Sequence, residues 1–88
     1  MKEQEQYVRE HIVSIAESAF PDNIGNDWLI HDLIVHPGKI EVEVEPIPDN
    51  VGYPRFRFFI EFDAPDKPNI TECYCLDASG EWDLLFTG

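Results

Sequence analysis

The sequence predicts an α+β fold: one N-terminal amphipathic helix packed on a four- or five-stranded antiparallel meander sheet. Three observations carry this expectation. Apolar residues in the first twenty positions recur at helical spacing, on one side only. Two later stretches, IEVEVEP and RFRFFIEFD, alternate with the period of two that marks a half-buried strand. Turn dipeptides and loops rich in Pro, Gly, Asn and Asp separate the alternating stretches.

The helix runs from Glu3 to Phe20. Val8, Ile12, Ile15 and Ala19 form a stripe that Ala16 and Phe20 widen, while Glu10, Ser14, Glu17 and Ser18 fall on the other side. Glu3 and Glu5 sit in the first turn, where the helix dipole favours carboxylates, and Pro21 stops the helix. After a loop from Asp22 to Asp27, WLIHDLIV reads either as a short helix capped by Asp27 or as a strand. The strand is preferred because Pro37-Gly38 and the alternating IEVEVEP follow it. A hairpin about that dipeptide sets Val35 opposite Ile40, Leu33 opposite Val42 and His31 opposite Val44, so one face becomes apolar almost throughout. Pro-Gly favours a type II turn, whose twist suits tight hairpins poorly, so a connection looser than two residues is expected.

Pro46 and Pro48 end this strand, and PIPDNVGYP forms a loop. RFRFFIEFD places Phe56, Phe58, Ile60 and Phe62 on one face and Arg55, Arg57, Phe59 and Glu61 on the other. A loop at residues 64–68 leads to NITECYCLD, then to the turn Asp77-Ala78-Ser79-Gly80 and a last strand, EWDLLF, with Trp82, Leu84 and Phe86 on one face.

Residues 1–88 make a single domain, since a chain this short cannot build two cores. It is 43% hydrophobic and 12% aromatic, which separates it from disordered chains. Its net charge is −12, and the deficit is deepest in residues 21–52, with seven acids and one base. A field of that sign repels nucleic acid and anionic membranes and steers cationic partners inward. Such acidity also serves solubility alone. Met1 leads into KEQEQ rather than an apolar run, and no apolar stretch approaches a membrane span, so a cytoplasmic protein is expected.

Glu41, Glu43 and Glu45 share one face of their strand, with Asp32 opposite Glu43 in the hairpin register. Carboxylates at that density repel one another, and Arg55 and Arg57, at the same period on the next strand, are the natural compensation. The ladder therefore has two readings. One is a structural Glu–Arg lattice. The other is a partner-binding surface of Asp32, Glu41, Glu43, Glu45 and the nearby Asp49, with Phe59 as an aromatic anchor among charges. General acid–base chemistry needs desolvated carboxylates in unlike environments, which a solvated strand face does not offer.

Cys73 and Cys75 stand too far apart along a strand to close a disulfide readily. With His31 and His36 they include zinc-type ligands, but the spacing matches no standard site, so a buried role is expected and no metal or cofactor is assigned. The negative field raises thiol pKa, which argues against a nucleophilic cysteine. His31 is expected on the apolar face, and Trp28, Tyr53, Phe59 and Tyr74 off the helix-covered face. The sequence thus points to a small acidic non-catalytic binding protein acting on a basic protein partner, in the manner of an inhibitor, an immunity protein or a nucleic-acid mimic. The alternative is a homodimeric structural or regulatory subunit whose acidity serves only solubility.

Overall fold

The computed structural model describes residues 2–48 and 53–88. Helix α1 (Lys2–Ala19) leads through a short 3-10 turn (Pro21–Asn23) into five strands: β1 (Asp27–His36), β2 (Lys39–Ile47), β3 (Phe56–Ala64), β4 (Lys67–Leu76) and β5 (Trp82–Thr87). The strands pair in chain order, each antiparallel to its neighbour, so the sheet is a meander and the expected α+β fold is the observed one.

The helix stripe explains the layering. Val8, Ile12, Ile15 and Ala16 are buried against alternate residues of four strands: Trp28, Ile40, Val42, Val44, Phe56, Phe58, Ile60, Cys73 and Cys75. Burying each large side chain of this set contributes about 1.5–3 kcal/mol. At the end of α1 the Phe20 amide still donates to Ala16 O at 3.0 Å, and the Phe20 ring stacks on Trp28 and tilts against Phe56. The helix is kinked at His11, whose φ and ψ are −118° and 20°. Its Nδ1 donates to Tyr7 O at 3.0 Å and its ring stacks on Tyr7 at 4.0 Å, a local side-chain bond that competes with regular helical geometry.

The β1–β2 hairpin resolves the helix-or-strand ambiguity in favour of a strand. Its connection is tighter than expected: His36 pairs with Lys39 across Pro37-Gly38, and Gly38 at φ +82° supplies the positive φ a type II turn needs. Val35–Ile40, Leu33–Val42, Ile34–Glu41 and Asp32–Glu43 pair as the register implies. The expected His31–Val44 pair does not form. Ile30 opposes Val44, because His31 is the extra residue of a β-bulge. Beyond the bulge the strand changes phase, so Ile30 and Trp28 face the helix while Leu29 turns away. Trp28, expected outside the core, is buried at 3% exposure, and Tyr53 packs edge-on against Phe56.

Two prolines lie inside strands rather than ending them. Pro46 pairs with Trp28 where β2 has no β3 neighbour, and Pro68 pairs with Phe62 where β4 has no β5 neighbour. In each place only one side of the strand is paired, so a missing N–H is tolerated. Another bulge, at Leu85, corrects β5: Trp82 and Leu84 pair with Leu76 and Tyr74 on the side away from the helix, whereas Phe86 pairs with Cys73 and packs on the core. Among the described residues no helix is long and apolar enough to cross a membrane.

Candidate functional site

Because successive strand residues point to opposite faces, everything between the core positions emerges on a helix-free face. Reading across the strands, one row is Asp32–Glu43–Arg57–Tyr74–Leu84 and the next is Ile34–Glu41–Phe59–Glu72–Thr87. Five of the six residues singled out from sequence, Asp32, Glu41, Glu43, Glu45 and Phe59, therefore share this face. Asp49 lies outside the described residues.

The carboxylates here are not equivalent. Arg55 Nη1 donates to Glu43 Oε2 at 2.7 Å, and Arg57 reaches both Glu43 (Nη2, 3.5 Å) and Glu41 (Nε, 3.3 Å). The Arg57 Nε contact with Glu41 is an ion pair by distance but lacks hydrogen-bond geometry, so Coulomb attraction rather than a directed bond carries it. Glu41 and Glu43 keep only 19% and 18% of their side-chain exposure, which strengthens these pairs over fully solvated ones. His36 Nε2 adds a 2.9 Å contact to Glu41, and the bulge brings His31 Nε2 to 2.6 Å from Glu45 Oε1. The bulge thus converts the histidine expected in the apolar layer into a partner of the acidic ladder. Asp32 is exposed, and its Oδ1 accepts the Leu33 amide.

Aromatic groups run beside the ion pairs. Arg57 lies over the Trp82 ring at 4.2 Å, and Lys39 Nζ over Phe59 at 4.9 Å. Phe59 meets Tyr74 edge-to-face at 5.8 Å, and Tyr74 OH donates to Glu72 at 2.7 Å, which raises the phenol pKa. Leu84 (55% exposed) and Leu29 (48%) extend the apolar surface at either side. Sequence reasoning missed Trp82 and Leu84 as members of this face. Their signal was the three-residue loop that Asp77 N closes onto Glu81 O: it sets Trp82 opposite Leu76 and Leu84 opposite Tyr74, on the side away from the cysteines. Asp32, Ile34, Glu41, Glu43 and Arg57 of the acidic row line a dimple of ≈ 100 Å³.

Cys73 and Cys75 face the helix, whereas the His31 and His36 rings meet Glu45 and Glu41 on the opposite face, so the four do not converge on one site. Burial pushes the Cys73 thiol up to about 12 and raises Cys75 as well. Asp77, Glu81 and Asp83 bring their carboxylates within 4.8 Å of one another. Asp77 is already committed to the turn: its Oδ1 accepts Ser79 N, Ser79 Oγ and Glu81 N. Those bonds lower its pKa to about 2, and the neighbouring Asp83 is raised by its bond to Asp77. Compared with models of protein families, with curated proteins and with solved structures, the chain matches none.

Proposed function

We propose that this is a non-catalytic binding protein that meets a basic protein partner through the helix-free face of its sheet. One observation carries the reading: this face holds a half-exposed aromatic and apolar cluster, Phe59, Tyr74, Trp82 and Leu84, running from mid-sheet to the β5 edge beside acids of which Glu41 and Glu43 are held by arginine. Rigid aromatic anchors surrounded by charge are the anatomy of protein–protein hot spots. Glu41 and Glu43 are paired with arginine, so the carboxylates of this face without a Lys or Arg partner among the described residues, Asp32, Glu45, Glu61 and Glu72, meet a cationic partner, together with the field of the whole molecule. A dimple of ≈ 100 Å³ is small beside the roughly 300–1,000 Å³ of small-molecule sites, which favours a flat macromolecular contact. Inhibition, immunity and nucleic-acid mimicry all fit this chemistry, in a cytoplasmic setting.

The test is affinity capture of the tagged protein's partner at low salt and at about 0.5 M salt, with charge steering expected to weaken capture at the higher value. A basic protein held at low salt and lost on Phe59→Ala or Trp82→Ala supports the reading. A salt-resistant dimer in sedimentation, with nothing captured, favours instead the homodimeric subunit. The exposed Leu29 and Leu84 supply apolar surface for that second reading.

A further inference from the structure

The sheet has two edges, and they are built differently. β1 is guarded. Asp27 Oδ1 accepts the Trp28 amide and Asp32 Oδ1 the Leu33 amide, both at 2.9 Å, so two of its N–H groups are bonded by side chains. The His31 bulge breaks the regular pairing row, and α1 packs against this strand. Side-chain capping and bulging are how natural edge strands avoid accepting another chain.

β5 carries less protection. Asp83, Leu84, Leu85 and Thr87 are exposed, and among the described residues no side chain hydrogen-bonds a backbone N–H of Trp82–Thr87. An outer strand presents alternate N–H and C=O groups to whatever lies beside it. At its N-terminal end stand Asp77, Glu81 and Asp83, with no cation in ion-pair contact among the described residues. One corner of the edge is therefore strongly negative, and the two leucines that follow are apolar. The Leu85 bulge adds local twist and keeps the regular pairing steps short.

We propose that β5 accepts an extended, lysine- or arginine-bearing segment of the partner as a sixth strand. Backbone bonds would supply the attachment, Leu84 and Leu85 the apolar contacts, and Glu81 and Asp83 the preference for basic residues. This rests on the reading of a basic protein partner and adds the mode of its attachment. A second copy fits the edge less well. WDLLFT contains no basic residue to meet the acidic corner, and self-pairing adds another chain of net charge −12.

The probe is a capped synthetic peptide of about eight residues alternating Lys and Val, compared with a twin N-methylated at every residue and with a Glu–Val twin. Binding is read by amide chemical shifts and hydrogen exchange on the full chain. The Lys–Val peptide is expected to slow exchange in Trp82–Thr87 and leave Asp27–His36 unchanged, with the N-methylated twin at least about tenfold weaker and the Glu–Val twin inert. Glu81→Gln with Asp83→Asn, checked for folding by circular dichroism, weakens it several-fold. Equal binding of the N-methylated twin, with shifts centred on Phe59 and Tyr74, overturns the edge mode and leaves the face reading intact. No charge-dependent binding by any peptide overturns both. A free-protein dimer that protects β5 without peptide overturns the proposal in favour of a second copy.

Discussion

On the helix side of the sheet, Val42, Val44, Phe56 and Phe58 have no exposed surface and belong to one apolar cluster. On the other side, residues interleaved with them in the same strands, Glu41, Glu43 and Arg57, are held by charge pairs and keep between 18% and 28% of their exposure. One alternating backbone thus supports two kinds of order. The helix side gains from a non-directional effect that grows with area buried. The open side is ordered by ion pairs and hydrogen bonds, each worth less and each dependent on its partner. The open side is accordingly the one that can exchange its contacts for those of another molecule.

The comparison breaks most readily at Phe58. Truncation to Ala removes a fully buried ring and leaves a cavity, an expected loss of about 3–5 kcal/mol in urea unfolding. In a domain stable by about 5–15 kcal/mol, that is a large fraction of the total. On the open side, Arg57→Ala uncovers Glu41 and Glu43 and the Trp82 ring together, and about 1–3 kcal/mol is expected. A cycle of Arg57→Ala with Glu43→Gln should show positive coupling. Additivity of the two losses would mean the lattice is not held by that pair.

Two pH effects sharpen the contrast. Cys73 titrates in the fold near 12, well above its ordinary value near 9, so the unfolded thiol ionises first as pH rises. Stability from this group is complete below about pH 9 and declines from there to 12. Cys73→Val should flatten that decline, and the native thiol should resist iodoacetamide until the chain unfolds. Asp77 has the opposite sign. Its folded pKa near 2 lies below the ordinary 3.8, so its contribution is present above that range and fades as pH falls toward 2. Asp77→Asn is expected to reduce the acid sensitivity of the β4–β5 turn, seen as amide exchange at Ser79 and Glu81. This is the smallest of the four effects, because the carboxyl is only half-buried and its bonds stay within one turn.

How far these features were legible depends on strand phase. IEVEVEP and the first part of RFRFFIEFD carry no bulge where they pair with each other, and each of Ile40, Val42, Val44, Phe56, Phe58 and Ile60 lies on the face its alternation assigns. WLIHDLIV and EWDLLF each carry one extra residue, so half of each strand reads on the wrong face. The misplacements of His31, Trp28 and Phe86 follow from those two single-residue insertions. No local pattern marks either bulge in the sequence, because what stabilises it is the layer it feeds. Trp28 and Ile30 gain burial only if His31 is left over, and Phe86 gains it only if Leu85 is.

Local sequence left the strand count at four or five and residues 28–35 open between strand and helix, yet it was enough for the helix and its buried stripe, the meander order of the strands, the turn at Pro37-Gly38 and the burial of Cys73 and Cys75. These follow from periodicity, from turn chemistry and from the helix-stopping Pro21, all of which act within a few residues. Long-range pairing settled which acids are neutralised, where the strands change phase, and that Trp82 and Leu84 join Phe59 on the open face. Those outcomes depend on contacts between residues distant in the chain, such as Glu43 with Arg57 or Cys73 with Phe86. They exist only once five strands share one sheet and a single helix has chosen which side to cover.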